Sequence, residues 1–261
     1  MVATEQITAL AAKLYRADQE RTPISPLTEA DPNLSAEDAY RIQLEWVRLQ
    51  QQAGRRIVGK KIGLTSKPMQ QMMGVTEPDY GHLFDHMVLS DQDVMRTDEL
   101  LQPRIEAEVA FILKRDLKGP GVTVADVLSA TRYVVPSIEI IDSRISDWKI
   151  KLSDTIADNG SSARVVLGSK PVPIDGLDLQ LMGMVLEKNG QQISTGAGAA
   201  ALGHPAYAIA WLANKLAAYD ISLHAGEIIL PGAVAKAVPV EKGDHITVRF
   251  SEIGSVSVAF G

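Results

Sequence analysis

The sequence predicts an α+β fold, a mixed β-sandwich or roll core carrying a small helical N-terminal part. Three observations lead there. Helical periodicity is concentrated near the N-terminus. From "RRIVGKKIGL" onward, short β-rich runs separated by Gly and Pro take over. These strands outnumber the helices and do not alternate regularly with them, which disfavours a doubly wound parallel sheet. The predicted organisation is a helical N-terminal cap over residues 1–55 and a mixed β-roll domain over 56–261. The cap is too small to fold alone.

Each element follows from its local pattern. Ile7, Leu10, Ala11, Leu14 and Tyr15 recur at helical spacing. A loop with Pro23, Pro26 and Pro32 follows, and then Ser35 and Asp38 open a second helix in a capping-box arrangement. Ala39, Ile42, Trp46 and Leu49 line one face of that helix, and Gly54 stops it. "SKPMQQMMG" reads as a short helix between Ser66 and Gly74, with Met69, Met72 and Met73 as packing groups. "EAEVAFIL" and "YVVPSIEII" read as strands joined through a helix at Thr123–Ala130, capped by Thr123 and Asp126. "MGMVLEKNGQQIST" reads as a hairpin turning at Asn-Gly. "PAYAIAWLANKLAAY" is an amphipathic helix, and "GEIILPG", "DHITVRF" and "GSVSVAFG" are strands.

Composition narrows the function. In 261 residues, 46% apolar, a sizeable core can be buried. The net charge of -6 and the lack of any basic run argue against nucleic acid and toward small molecules or proteins as partners. The absence of cysteine excludes disulfides, thiol chemistry and Cys-based zinc sites. Neither a signal peptide nor a membrane-spanning apolar run is visible, so a cytoplasmic protein is expected.

The chemistry concentrates in "PRIEAEVAF". Strand alternation puts Ile105, Ala107, Val109 and Phe111 on one face and Glu106 and Glu108 together on the other. Adjacent carboxylates in an apolar setting repel unless a cation or proton intervenes. Glu139 sits in an equally aliphatic run, "PSIEII". Three carboxylates from two rigid strands would cradle Mg2+ or Mn2+ with coordination positions left for substrate and water. A solvated strand face paired with lysines or arginines is the competing explanation.

Other polar groups are ambiguous in the same way. In "GKKIGLTSK", Lys60 or Lys61 is expected to point inward and could serve as acid or base, or both could be ordinary solvated lysines. Asp79 in "EPDYG" suits turn chemistry. "DTIADNGSSARVVLG" reads as a polar loop that could present Ser161 and Ser162 to an anionic ligand or simply cap itself. "TGAGAAALGHP" does not match a dinucleotide fingerprint and reads as a flexible loop. His82 and His86 have the wrong setting for a helical metal pair.

Taken together, "VGKKIGLTSK", "PDYGHL", "PRIEAEVAF", "SIEIIDSRISDWKIK", "DTIADNGSSA" and "STGAGAAALGHP" resemble the 2-keto-4-pentenoate hydratase family of aromatic meta-cleavage pathways. That family includes the 4-oxalocrotonate decarboxylases and is related to the fumarylacetoacetate hydrolase fold. The resemblance spans essentially the whole chain. It implies a divalent metal on Glu106, Glu108 and Glu139, Lys61 and Asp79 as catalytic groups, and Ser161 and Ser162 near the substrate carboxylate. The implied reaction adds water to a 2-hydroxy-2,4-dienoate, through its 2-oxo-3-enoate tautomer, to give a 4-hydroxy-2-oxo acid. Asp79 in "PDYG" and the run Asp147, Trp148, Lys149 follow the hydratase branch, whereas "NGSSAR", with Gly160 in place of alanine, leans toward the decarboxylases. The alternatives are therefore a decarboxylase, or a structural or activating subunit of a hydratase–decarboxylase complex. An acylpyruvate hydrolase would need a Glu-His pair that is not visible. The resemblance further implies a homo-oligomer, and a complex with a sister decarboxylase or hydratase or a downstream aldolase.

Overall fold

The computed structural model describes residues 2–261, apart from the side chains of Met72 and Met73, so the packing expected of those two lies outside the described residues. The N-terminal helices are α1 (Thr4–Glu20), α2 (Leu27–Ala30) and α3 (Ala36–Gln52). Next come β1 (Ile57–Gly63), α4 (Lys67–Met73), β2 (Asp79–Phe84), β3 (Val88–Ser90), β4 (Val94–Met95) and β5 (Arg104–Leu113). The middle of the chain holds α5 (Val124–Ala130), β6 (Thr131–Ile141), α6 (Leu152–Ala157), β7 (Ser162–Leu167), β8 (Gly183–Lys188) and β9 (Gln191–Ala197). The last elements are α7 (Pro205–Leu216), β10 (Ile228–Leu230), β11 (Val238–Pro239), β12 (His245–Phe250) and β13 (Gly254–Phe260).

Local chemistry accounts for the boundaries. Ser35 Oγ accepts the Asp38 amide at the start of α3 (3.1 Å), and Thr123 and Asp126 form a reciprocal capping box on α5. Asn189 and Gly190 both take positive φ (56° and 78°), as a tight hairpin between β8 and β9 requires. The proline loop after α1 is more ordered than its composition predicts. Leu27 is buried in α2, and Asp154 accepts both the backbone amide (3.0 Å) and the hydroxyl (2.7 Å) of Thr28.

The described residues form two mixed sheets. The eight-stranded sheet runs β2-β1-β10-β5-β6-β7-β3, with β11 added alongside β5. The five-stranded sheet runs β4-β13-β12-β8-β9. The pairs β1–β10, β3–β7 and β4–β13 are parallel and the others antiparallel. β2 also meets β7, so the larger sheet curls. One face of the curled sheet carries Ile105, Ala107, Val109 and Phe111 in a continuous core with the smaller sheet and the helices. Leu14 of α1 and Trp46 of α3 belong to that same core, so the change of texture near residue 55 is not a break in packing. The other face closes at one end over Leu83, Ala110, Val135, Val165 and Leu230. Its other end is polar.

Two segments differ from expectation. Residues 195–204 are not a flexible loop: β9 continues to Ala197 and Gly198 is buried. A Cβ at Gly196 would come within 2.1 Å of the Val234 carbonyl, and one at Gly198 within 1.9 Å of the Leu179 carbonyl, so these glycines serve close backbone approach. The polar stretch before Ser162 is likewise not a loop but α6 and a short 3₁₀ turn, with Asp154, Asp158 and Asn159 buried. Among the described residues no helix is long and apolar enough to cross a membrane.

Candidate active site

The polar end of the sheet is built by register. β5 and β6 pair antiparallel with Glu106 opposite Glu139 and Glu108 opposite Ser137. Alternation then places all three carboxylates on one face, and one ligand oxygen from each lies within 4.8 Å of the others. Glu108 and Glu139 are fully buried, while Glu106 is half-buried at the open side. Glu108 Oε2 accepts the Gly232 amide (2.8 Å), but Glu108 Oε1 and both carboxylate oxygens of Glu139 have no hydrogen-bond partner. Burial, then mutual repulsion, pushes the Glu108 carboxyl well above its ordinary range. Burial likewise raises Glu106, to about 7, and raises Glu139 against the pull of Lys61. Orphaned, converging carboxylate oxygens fit a hard divalent cation, which would replace the missing donors and reverse these shifts.

β1 and β2 supply the cation of the site and a fourth carboxyl. Lys61 pairs with Gly81 and Gly63 with Asp79, so Lys61 and Asp79 face the carboxylates. Lys61 Nζ lies 3.3 Å from Glu139 Oε2 and donates to the Gly160 carbonyl (3.1 Å). Burial works against its charge, but Glu139, Asp79, Glu106 and Glu108 outweigh it and hold the ammonium above its ordinary range. Asp79 is buried rather than in a solvated turn. Its Oδ2 accepts from Thr155 Oγ1 (3.1 Å) and its Oδ1 has no partner. Burial raises its pKa, opposed by Lys61. Gly63 allows this approach: a Cβ there would stand 2.1 Å from Asp79 Oδ1 and 3.4 Å from Lys61 Nζ.

Lys60 departs from the expectation of one buried lysine. It points to the opposite face and is buried as well, paired with Glu227 at 2.7 and 2.8 Å. The two serines also separate. The Ser162 hydroxyl is buried against Glu139 with no well-formed hydrogen bond. Ser161 Oγ donates to Asp158 Oδ2 (3.2 Å), joining a structural network in which Arg144 Nε meets Asp158 Oδ1 at 2.5 Å.

Sequence reasoning missed Gly63, Thr155 and Gly232. Gly232, at φ +112°, delivers its amide to Glu108 where a Cβ would lie 2.0 Å from Thr65 Oγ1. The one available signal was the position of Thr155 beside the polar run, and of each glycine beside a charged or strand-forming segment.

The fumarylacetoacetate (FAA) hydrolase C-terminal model matches residues 60–260, which includes every group of this cluster. The chain belongs to the FAA hydrolase family. Among its relatives, the 2-hydroxyhexa-2,4-dienoate hydratase of Comamonas testosteroni is 47% identical over 250 residues, 95% of each chain. The 2-oxo-hept-4-ene-1,7-dioate hydratase of Escherichia coli is 44% identical over 259 residues, 97% of each chain. The structure of 4-oxalocrotonate decarboxylase from Pseudomonas putida G7, complexed with magnesium and adipate, superposes with a TM-score of 0.97 at 41% identity, covering 100% of this chain and 99% of that one.

Proposed function

We propose that this FAA hydrolase family member is a metal-dependent hydratase that adds water to a 2-hydroxy-2,4-dienoate, through the 2-oxo-3-enoate, to give a 4-hydroxy-2-oxo acid. The observation that carries this reading is buried Lys61 and Asp79 facing three converging glutamates, of which Glu108 and Glu139 keep unpartnered oxygens. Mg2+ or Mn2+ on Glu106, Glu108 and Glu139 would supply Lewis acidity toward a 2-oxo carboxylate. The protein's own groups do the rest. Lys61, held charged by its carboxylate neighbours, gives a proton to C5 during ketonisation, recovers the one the 2-hydroxyl loses, and then protonates C3 as water adds at C4. Asp79, across Gly63 from Lys61 and steadied by Thr155, takes the proton that water must lose on attacking C4. Ser162, with a free hydroxyl beside Glu139, orients the substrate carboxylate; Ser161 supports the turn beneath it through Asp158.

The second reading is decarboxylation of 4-oxalocrotonate, favoured by "NGSSAR" and Gly160. Incubating the protein with Mg2+ or Mn2+ and 2-hydroxypenta-2,4-dienoate should remove the dienol absorbance. No turnover, together with CO2 release from 2-oxohex-3-enedioate, would transfer the assignment to the decarboxylase. Glu108→Gln should abolish both activity and calorimetric Mn2+ binding while leaving the thermal midpoint in place; a fully active variant refutes the metal site. The resemblance also supports a homo-oligomeric, cytoplasmic enzyme, complexed with a sister decarboxylase or hydratase or with a downstream aldolase. Sedimentation and co-purification test those associations.

A further inference from the structure

The same face of β5 carries one more charge. Arg104 lies on the side of Glu106 and Glu108, one strand repeat, about 6.6 Å, before Glu106. It flanks the open side, where Glu106 keeps solvent exposure while Glu108 and Glu139 are closed off. Its guanidinium stacks on Trp148, 4.5 Å from the ring centroid. Trp148 is itself held in place. Its Nε1 donates to the Gln102 carbonyl (3.0 Å), and Asp147 and Trp148 both adopt left-handed backbone, with φ of 59° and 55°.

Stacking fixes the plane of the guanidinium but uses none of its five N–H donors. Among the described residues no carboxylate stands within ion-pair distance of Arg104. Its strand neighbours are Ile141 on β6 and Pro239 on β11, neither of which carries a charge. Nearby Asp147 is engaged by Lys149 (3.0 Å). Arg104 is therefore an oriented fork with unused donors, at the rim of a site whose ligand is an organic acid. A planar guanidinium of this kind matches a carboxylate in a bidentate pair.

We propose that Arg104, backed by Trp148, receives the distal carboxylate of the substrate, so that the preferred substrate is a 2-oxo-enedioate rather than a monocarboxylate. This rests on the proposed function for the position of the 2-oxo acid end.

The test uses two non-reacting ligands, 2-oxoadipate and 2-oxohexanoate, titrated calorimetrically into Mn2+-loaded wild type and Arg104→Gln. Wild type should prefer 2-oxoadipate by about tenfold or more, the scale of a hydrogen-bonded charge. Arg104→Gln should collapse that preference, and Arg104→Lys should restore part of it. The thermal midpoint identifies any unfolding, which a half-buried rim residue is not expected to cause. Equal weakening of both ligands would overturn the proposal by moving Arg104 to the shared 2-oxo end, and an unchanged preference would overturn it outright. Wild-type binding of 2-oxohexanoate without a dioate preference sinks this inference alone. Failure of wild type to bind either ligand sinks the proposed function with it.

Discussion

His82 and Gly232 show how single residues hold the site together from opposite sides of the sheet. His82 lies on the helix-facing side of β2, buried, with Nδ1 unpartnered. Burial, and then the charge of Lys60, push its pKa down to about 3. The unfolded chain titrates this ring near its ordinary 6.5, so between these values the unfolded state binds a proton that the folded state refuses. Stability is therefore complete above about pH 6.5 and falls as the pH drops toward 3. The loss from this ring should be about 2 kcal/mol between pH 7 and pH 5. Denaturant melts at the two pH values check it, and His82→Phe should flatten the difference; an equal pH effect in that variant would clear His82. Gly232→Ala should lower stability and Mn2+ affinity together, because a Cβ at φ +112° must displace Thr65 and with it the amide on Glu108. Wild-type metal affinity in Gly232→Ala would contradict this.

At the scale of elements, the β5–β6 pairing is decisive. Alternation along β5 unites Glu106 and Glu108, but Glu139 joins them only because the register sets it opposite Glu106. A one-residue slip would send Glu139 to the apolar face. The ends of β6 and β7 are tied by Arg144, which bonds to Asp158 and donates to the carbonyls of Asp142 and Ser162. Burial, offset by Arg144, pushes the Asp158 carboxyl up to about 6. Arg144→Met would leave that carboxylate buried without its partner, at a cost of about 3–5 kcal/mol. The denaturation midpoint reads this directly. A loss under about 1 kcal/mol would mean that the pair contributes little beyond its own desolvation.

On the scale of the molecule, the N-terminal helices and both sheets share one core. Trp46 of α3 meets Phe84 of β2 edge-on at 5.7 Å, on the strand that also carries Asp79. Trp46→Ala should cost about 3–5 kcal/mol and lower the midpoint in a single transition, seen alike by circular dichroism and by release of Mn2+. Two separated transitions would instead mark residues 1–55 as an independent unit.

The longer helices, the caps and the hairpin were legible in the sequence because they depend on neighbours within a few residues: Ser35 on Asp38, Thr123 on Asp126, Asn189 with Gly190; α2 and α6, read as loops, were not. The shared face of Glu106 and Glu108 was legible for the same reason, since strand alternation is local. Strand alternation and the aliphatic setting of Glu139 suggested the three-carboxylate cradle, but only family resemblance chose it over a solvated face and singled out Lys61 and Asp79, because no spacing rule joins residues on four strands. Tertiary structure alone decided that both Lys60 and Lys61 are buried, on opposite faces with different acids. It also decided that Ser161 faces Asp158 while Ser162 faces Glu139, and that Gly63, Thr155 and Gly232 shape the site. The physical reason is the same in each case. Burial and partner choice are properties of what the curled sheet brings together, and local sequence carries no record of which distant backbone will arrive beside a side chain.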